Sequence, residues 1–165
     1  MKRVAKFEKV SIEQFTKAFG DDIEKIKHIH KQIKLPVRAT KGSAGYDFFA
    51  PYNFVLNPGE TETIPTGIRV GIVNDWVLKI YPRSGLGSKY RLQLDNTTGI
   101  IDSDYYYSDN EGHIFLKATN DSKTGKTISI NQGQAFAQGI FSEYGITIDD
   151  DVEERRNGGF GSTGK

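Results

Sequence analysis

The spacing of hydrophobic and polar positions changes near residue 35. Beyond that point, short apolar or alternating runs, such as residues 68–73, 76–85 and 112–120, are separated by Gly, Pro, Asn and Asp. Side chains alternate between the two faces of a strand, and turn residues every ~8–12 positions are typical of antiparallel sandwiches and barrels. The pattern therefore predicts an all-β domain built from antiparallel strands.

The N-terminal residues follow a different period. Residues 7–10 predict a first strand, and Ser11 opens an S-x-x-Q capping box, which begins a helix. Apolar residues three and four apart follow, so we expect this helix to end at Gly20. Residues 23–33 repeat an apolar position every three or four residues, which fits a helix or an extended segment. We therefore expect a short N-terminal helical segment, residues 11–33, ahead of the β domain.

Two histidines lie in this segment. His28 and His30 are two positions apart, and on a strand they would share one face and could bind a metal ion. No third ligand lies nearby in the sequence, so solvated side chains are the favoured interpretation.

Composition is that of an ordinary globular protein. The 165 residues are 36% hydrophobic and 26% charged, which suits one domain spanning residues 1–165. The net charge of +1 gives no bulk attraction to nucleic acid or acidic membranes, so neither partner is expected. The absence of cysteine excludes disulfides, a thiol nucleophile and zinc–thiolate sites. No apolar run approaches the ~20 residues that span a bilayer and the N-terminus lacks a signal-peptide core, so we expect a cytoplasmic protein.

The last ten residues, RNGGFGSTGK (156–165), include four glycines and one aromatic residue. Glycine gives up side-chain burial but lets many N–H groups approach an anion. The segment predicts a mobile arm, residues 152–165, that orders over a bound ligand. A Gly-rich tail without function is the alternative. Residues 159–165 also fit most of a Walker A loop, but that loop needs a Ser or Thr after Lys165 and then a helix, so it is disfavoured.

A candidate phosphate-binding turn lies at the end of the run 76–85, in the sequence PRSGLGSK (82–89). Arg83 offers a planar fork of donors that matches phosphate oxygens. Ser84 adds a hydroxyl and an N–H group, and Gly85 permits close approach of the backbone. An exposed turn with an incidental Arg and Ser fits these residues equally well.

A candidate general base lies in the sequence NTTGIIDSDY (96–105). Asp102 follows the apolar pair Ile100 and Ile101, so the end of a strand could shield its carboxylate partly from water and position it for proton transfer. An Asp in an ordinary turn is the alternative, and it is the commoner one for any single Asp.

Five segments occur in the order and at the spacing of the five motifs of a known family, and together they resemble the trimeric dUTP pyrophosphatases (dUTPases). The resemblance covers about residues 35–165. Any one segment alone is weak evidence, whereas all five in order are specific. The segments are AGYDFFA (44–50), PRSGLGSK (82–89), NTTGIIDSDY (96–105), GQAFAQGIF (133–141) and RNGGFGSTGK (156–165).

The resemblance implies how the phosphates are bound. Arg83, Ser84 and Gly85 would contact the triphosphate, and Gln138 of the fourth segment would be a further phosphate contact. Asp47 of the first segment would meet Mg²⁺ through water rather than as a direct ligand.

The resemblance also assigns roles in the arm. The family's arm arginine lies five residues before the phenylalanine, which selects Arg155, although Arg156 stands beside it. Phe160 would cover the uracil ring. Donors to the β- and γ-phosphates would come from Gly161, Ser162 and Thr163.

The third segment would carry the chemistry and the base recognition. Asp102 would orient and deprotonate the attacking water, and Tyr105 would stack on the deoxyribose and leave no room for a 2′-hydroxyl. Asn96, six residues before Asp102, would read the uracil edge, whose one donor and two acceptors suit an amide. The remaining substrate-binding residues of this segment would be Gly99, Ile100 and Ile101.

The implied fold is a β jelly roll that assembles as a homotrimer with C3 symmetry, in which each active site is shared between subunits. The implied reaction is hydrolysis of dUTP to dUMP and pyrophosphate with Mg²⁺. This reaction keeps uracil out of DNA and supplies dUMP for dTMP synthesis.

The chain departs from the family pattern at two places. The family commonly has glycine two residues after the sugar-stacking tyrosine, whereas here the sequence YYYSDNEG delays it to Gly112. The insertion at 106–112 makes Ile114 and Phe115 the candidates for backbone contacts to uracil. The segment 11–33 is longer than the family core needs. Packing on the outside of the trimer is the simpler interpretation of it, and a helix that binds a partner protein is the other.

Three other functions stay open from the sequence. A dCTP deaminase shares the fold and related motifs, but it needs a catalytic glutamate, and Asn96 suits cytosine only if its amide flips. A regulatory module that holds another protein through residues 11–33 or through the YYYSDNE hairpin is compatible with an intact Asp102. A purely structural jelly roll would not need Asp102, Tyr105 and the arm together.

Overall fold

The computed structural model describes residues 1–19 and 22–154. Over these residues the chain is mostly β, so the fold class predicted from the alternating pattern is confirmed. None of the helices in this part of the chain is long and apolar enough to cross a membrane. The strands are β1 (Ala5–Lys9), β2 (Val37–Arg38), β3 (Tyr46–Phe49), β4 (Phe54–Leu56), β5 (Thr61–Pro65), β6 (Ile68–Ile72), β7 (Trp76–Pro82), β8 (Leu92–Leu94), β9 (Gly99–Ile101), β10 (Phe115–Asn120), β11 (Ile128–Ile130) and β12 (Ala135–Glu143). The helices are α1 (Ile12–Thr16), α2 (Ile23–Gln32), α3 (Ser84–Tyr90) and a 3₁₀ helix, Ser103–Tyr107.

Antiparallel pairing joins the strands into jelly-roll-like sheets. The largest sheet has the order β2-β3-β12-β7-β9, with the long strand β12 at its centre. The other sheets pair β5-β10-β8, β1-β6 and β11-β4. Neighbours such as β3 and β12 are far apart in the chain, as the Greek-key connections of a jelly roll require.

One apolar cluster connects these sheets. Phe48, Leu78 and Phe136, from three adjacent strands of the largest sheet, are at most 1% exposed. Burying a side chain of this size stabilises the fold by about 1.5–3 kcal/mol. Gly139 on β12 allows this packing, because a Cβ atom there would lie 2.7 Å from Leu78 Cδ1 and 3.0 Å from Phe48 Cε2.

The N-terminal strand and helices pack on the β domain. β1 pairs antiparallel with β6 along its whole length. The hydroxyl of Ser11 accepts a hydrogen bond from the Gln14 N–H at 3.1 Å, so α1 begins where the capping motif places it. Residues 23–32 are helical, which settles the alternative that the sequence left open, and α2 buries Ile26 and Ile29 on one face.

The prediction that His28 and His30 are both solvated is wrong for His30. His28 is exposed. His30 is half-buried, its Nε2–H donates to the Val10 carbonyl at 2.8 Å, and its ring centroid lies 5.4 Å from that of Phe15. Helical periodicity could not reveal this contact, because the carbonyl belongs to the chain entering α1 rather than to α2.

Candidate active site

Three predicted site residues lie side by side at one end of the largest sheet. Gln138 on β12 is opposite Asp47 on β3, and Arg83 directly follows β7, the other neighbour of β12. Arg83 Nε donates to Asp47 Oδ1 at 3.2 Å, with the two side chains 45% and 18% exposed. Gln138 Nε2 donates to the Pro82 carbonyl at 3.3 Å. Glycine at position 45 makes room for this amide, because a Cβ atom there would lie 2.6 Å from Gln138 Oε1.

The segment after Arg83 forms the helix α3, where the sequence predicted a turn. Arg83 is the N-cap, with extended backbone (φ −66°, ψ 140°), and its N–H donates to the Phe136 carbonyl at 3.2 Å. Ser84 and Gly85 are exposed, and the N–H groups in the first turn of a helix have no partner within the helix. A Cβ atom at Gly85 would meet nothing within 4 Å, so packing inside the chain does not require glycine there.

A pocket of ≈ 310 Å³ lies beside the third segment. It brings together Asn96 and residues 99–101, four of the predicted substrate-binding residues. Its wall is mainly apolar, with polar groups from Asn96 and two charged residues. The lining consists of Leu94, Asp95, Asn96, Gly99, Ile100, Ile101, Phe115, Leu116 and Lys117.

The charged pair at this pocket was not predicted. Lys117 Nζ lies 3.0 Å from Asp95 Oδ2, and the Thr119 hydroxyl also donates to Asp95. The hydrogen bond from Thr119, followed by the contact with Lys117, holds the pKa of Asp95 below its usual range although partial burial opposes this shift. The alternation along β10 could have placed Lys117 at the pocket, because Phe115 and Lys117 are two positions apart and lie on the same face of the strand. Of the two candidates for uracil contacts, Phe115 lines the pocket, whereas Ile114 is 0% exposed.

Asp102 lies between the end of β9 and the start of the 3₁₀ helix. It is half-buried and forms the N-cap of that helix, and its carbonyl accepts a hydrogen bond from the Tyr105 N–H at 3.2 Å. Tyr105 is only 6% exposed in the single chain. Its hydroxyl donates to the His113 carbonyl at 2.7 Å and accepts from Asn110 Nδ2 at 2.8 Å. The structure thus holds this ring firmly, and its contact with the sugar stays a prediction.

One chain does not bring Asp102 next to Arg83. On the paired strands Ile101 is opposite Leu78, so Asp102 lies beside Val77 at the start of β7. Arg83 lies beyond the other end of β7, six residues further on. At the rise of a β-strand this is a separation of about 20 Å. Within the described part of the chain the predicted site residues therefore fall into two groups, here called half-sites, one with Asp47, Arg83 and Gln138 and one at the end of β9.

Five predicted residues of the arm lie outside the described part of the chain. They are Arg155, Phe160, Gly161, Ser162 and Thr163.

Residues 31–164 match the family model described as dUTPase. The chain is 40% identical over 141 residues to a protein from Lactococcus lactis subsp. lactis (strain IL1403) named deoxyuridine 5′-triphosphate nucleotidohydrolase, with 84% of this chain and 93% of that protein covered. A protein of the same name from Tolumonas auensis is 40% identical over 145 residues, with 83% and 91% covered.

Solved structures agree with the sequence comparison. The dUTPase from Streptococcus mutans superposes with a TM-score of 0.66 at 30% identity, covering 87% of this chain and 98% of that chain. The dUTPase of Staphylococcus bacteriophage 80alpha superposes with a TM-score of 0.66 at 24% identity, covering 99% of this chain and 100% of that chain, which shows the shared fold. From the family match and the identities to its relatives, the chain belongs to the dUTPase family.

Proposed function

We propose that this protein hydrolyses dUTP to dUMP and pyrophosphate, which limits uracil in DNA and supplies dUMP for dTMP synthesis. The observation that carries the proposal is the family match over residues 31–164, because it spans every site residue from Asp47 to Thr163. The pocket at Asn96 and the exposed cation of Arg83 are consistent with it. The cytoplasmic location expected from the sequence stays a prediction.

In the proposed reaction Asp102 is the general base. Its carboxylate takes a proton from a water molecule, whose oxygen attacks the α-phosphorus in line. The bond from the α-phosphorus to the bridging oxygen breaks, and pyrophosphate leaves with the electron pair of that bond. Asp102 then returns the proton to solvent. The Asp102 carbonyl accepts a hydrogen bond from the Tyr105 N–H, which fixes the backbone at this position. This supports the role, because a base must be held within hydrogen-bond reach of the water.

The half-site of Asp47, Arg83 and Gln138 would bind the phosphates. The ion pair with Asp47 orients the Arg83 guanidinium through Nε and leaves its other N–H groups for phosphate oxygens. Ser84 and Gly85 would add backbone donors at the start of α3, where the exposed glycine offers no steric barrier to a ligand. Arg155 and the arm residues would complete the charge stabilisation in the transition state.

The pocket beside Asn96 would bind the nucleoside. The amide of Asn96 can both donate to and accept from a uracil edge, and the apolar wall suits the faces of the ring. Tyr105 would exclude a 2′-hydroxyl, and Phe160 would cover the base.

The residues present fit a magnesium ion that is bound mainly by the substrate. No group of three His, Asp or Glu side chains that could hold a metal occurs within residues 1–19 and 22–154. Mg²⁺ commonly keeps several waters and binds through one or two carboxylates and substrate phosphates. Asp47, placed beside the phosphate-binding Arg83, would hold such an ion through water. Bound there, Mg²⁺ would neutralise negative charge on the triphosphate.

The two half-sites support a trimer with shared active sites. Because Asp102 and Arg83 of one chain are about 20 Å apart along β7, a complete site needs Asp102 from a second subunit. A closed threefold assembly would then make three equivalent sites, each covered by the arm of a further subunit.

Product analysis tests the function directly. The protein is incubated separately with dUTP, dCTP, dTTP and UTP in the presence of Mg²⁺, and the products are identified. We expect dUMP and pyrophosphate from dUTP, with little turnover of the other three. Conversion of dCTP to dUTP would instead identify a deaminase, and UTP hydrolysis at the dUTP rate would remove the proposed role of Tyr105. No turnover of dUTP would contradict the proposal.

A further inference from the structure

The N-terminal strand and α1 contact the loop that follows Asp102, here called the 103–113 loop. These elements precede residue 31, where the family match begins. The loop contains the 106–112 insertion and α1 belongs to the 11–33 segment, so the contact of Ser11 with Glu111 joins the two departures from the family pattern.

The first contact joins Glu8 on β1 to Tyr106 in the loop. The Tyr106 hydroxyl donates to Glu8 Oε2 at 2.6 Å, and Lys6 Nζ donates to Glu8 Oε1 at 2.7 Å. Hydrogen bonds from Lys6 and Tyr106 hold the pKa of Glu8 below its usual range, so its carboxylate is charged at neutral pH. Arg69, opposite Glu8 in the β1–β6 pair, stacks on the Tyr106 ring at 3.6 Å and donates to the Tyr106 carbonyl at 3.0 Å. Tyr106 is therefore held at its hydroxyl, its ring and its carbonyl.

The second contact joins Ser11 to Glu111 on the returning side of the loop. The Ser11 N–H donates to Glu111 Oε2 at 2.8 Å, and its hydroxyl donates to Glu111 Oε1 at 2.5 Å. Partial burial alone would raise the pKa of Glu111. The hydrogen bonds from Ser11 and the nearby charge of Arg69 outweigh this effect, so the pKa lies below its usual value. One residue thus begins α1 and anchors the loop.

Inside the loop, short links lead from these anchors to the proposed base. Tyr105, the neighbour of Tyr106, bonds to the Asp102 carbonyl through its N–H and to the His113 carbonyl through its hydroxyl. Gly112 packs against this part of the backbone, since a Cβ atom there would lie 2.8 Å from both the Tyr105 carbonyl oxygen and Tyr106 Cα. A displacement of Tyr106 would therefore move Tyr105 and the turn that begins at Asp102.

We propose that Glu8 and Ser11 are positioning residues, which hold the 103–113 loop so that Asp102 and Tyr105 are placed for the reaction. This inference rests on the proposed function. Neither residue touches substrate; each acts through the loop. Small misplacement of a base is costly, because a shift of about 1 Å can lower a rate ~100-fold.

Two single substitutions remove the Glu8–Tyr106 bond from opposite sides. Tyr106→Phe deletes one oxygen and keeps the ring beside Arg69, and Glu8→Ala deletes the acceptor. We expect either to lower kcat on dUTP about tenfold or more with little change in KM, at a temperature where every variant is folded. The double variant should be no slower than the slower single variant, because both changes break the same bond. Glu8→Gln keeps an oxygen acceptor and should restore most of the activity, and Glu13→Ala, an exposed position on α1, is the matched control.

Hydrogen exchange of the same variants separates this inference from the proposed function. Glu8→Ala should speed amide exchange in the 103–113 loop and leave strand β11 protected. A lower melting temperature with unchanged kcat would show a merely structural contact and overturn the positioning role. Unchanged loop exchange would overturn it too, while leaving dUTP hydrolysis intact. If the wild-type protein does not hydrolyse dUTP, the function fails and the positioning role fails with it, whatever the exchange data show about the contact.

Discussion

At the scale of single residues, the proposed site depends on groups whose surroundings fix them before substrate arrives. Asp47 orients Arg83, Thr119 and Lys117 keep Asp95 charged at the pocket, and the turn after β9 fixes Asp102. Such preorganisation reduces the reorganisation needed in the transition state.

Replacing the proposed base tests the chemistry at this scale. Asp102→Asn keeps the size of the side chain but cannot accept the proton, so kcat should fall by roughly 10²–10⁴-fold. The variant should still bind a non-hydrolysable dUTP analogue. Asp149→Asn, at an exposed position beyond β12, is a control for the loss of one negative charge. Turnover by Asp102→Asn within about threefold of wild type would show that another group is the base.

His113 makes stability depend on pH. It is 0% exposed, and burial lowers its pKa to about 4, an effect that His30 reinforces and Glu111 opposes. Its Nε2 accepts from the Gly67 N–H, so the neutral ring suits this position. The unfolded chain takes up a proton near pH 6.5 and the folded chain only near pH 4. The contribution of His113 to stability should therefore be complete above about pH 6.5, and about 3 kcal/mol of it should be lost as pH drops toward 4.

Urea unfolding between pH 7.5 and pH 4 measures this effect. His113→Asn should lose part of the pH dependence, whereas His28→Asn, at an exposed position, should keep it. Equal slopes for wild type and His113→Asn would assign the pH dependence to other groups.

At the scale of elements, the local patterns gave the β class and the start of α1, because alternation and capping involve neighbouring residues. Helix α3 was missed since Gly85 and Gly87 lower helix propensity, and its formation depends on tertiary context. The contact of Ser11 with Glu111 joins residues 100 positions apart, so no local pattern reports it. The resemblance to the family motifs predicted the site residues. It could not show that they lie at two opposite ends of β7, because this follows only from the register of the paired strands.

The 103–113 loop depends on a glycine at position 112. Gly112 has φ +69°, and a Cβ atom there would clash with the backbone at Tyr105 and Tyr106, whereas Gly125 has φ +70° with open space around it. Alanine at Gly125 should cost about 1–2 kcal/mol from the left-handed backbone alone. Alanine at Gly112 should cost about 1–3 kcal/mol more, because of the clash. Denaturant unfolding measures both, and equal losses would show that the loop readily rearranges.

At the scale of the whole molecule, the fold separates the proposed base from the proposed phosphate-binding residues. The sheet order places β9 at one edge and β3 near the other, with β12 and β7 between them. On the proposed account, a single chain would bind parts of a nucleotide but would not close around it. The central claim is that assembly completes each site by joining Asp102 of one subunit to Arg83 of another.

Mixed trimers test this claim most directly. Asp102→Asn and Arg83→Ala homotrimers should both hydrolyse dUTP poorly. When the two variants are unfolded together in equal amounts and refolded, about a quarter of the shared sites should contain both wild-type residues, if subunits assemble at random. We predict recovery to about a quarter of the wild-type rate, with trimer formation checked by light scattering. Confirmed mixed trimers with no recovery of activity would show that each site lies within one chain and would contradict the shared-site account.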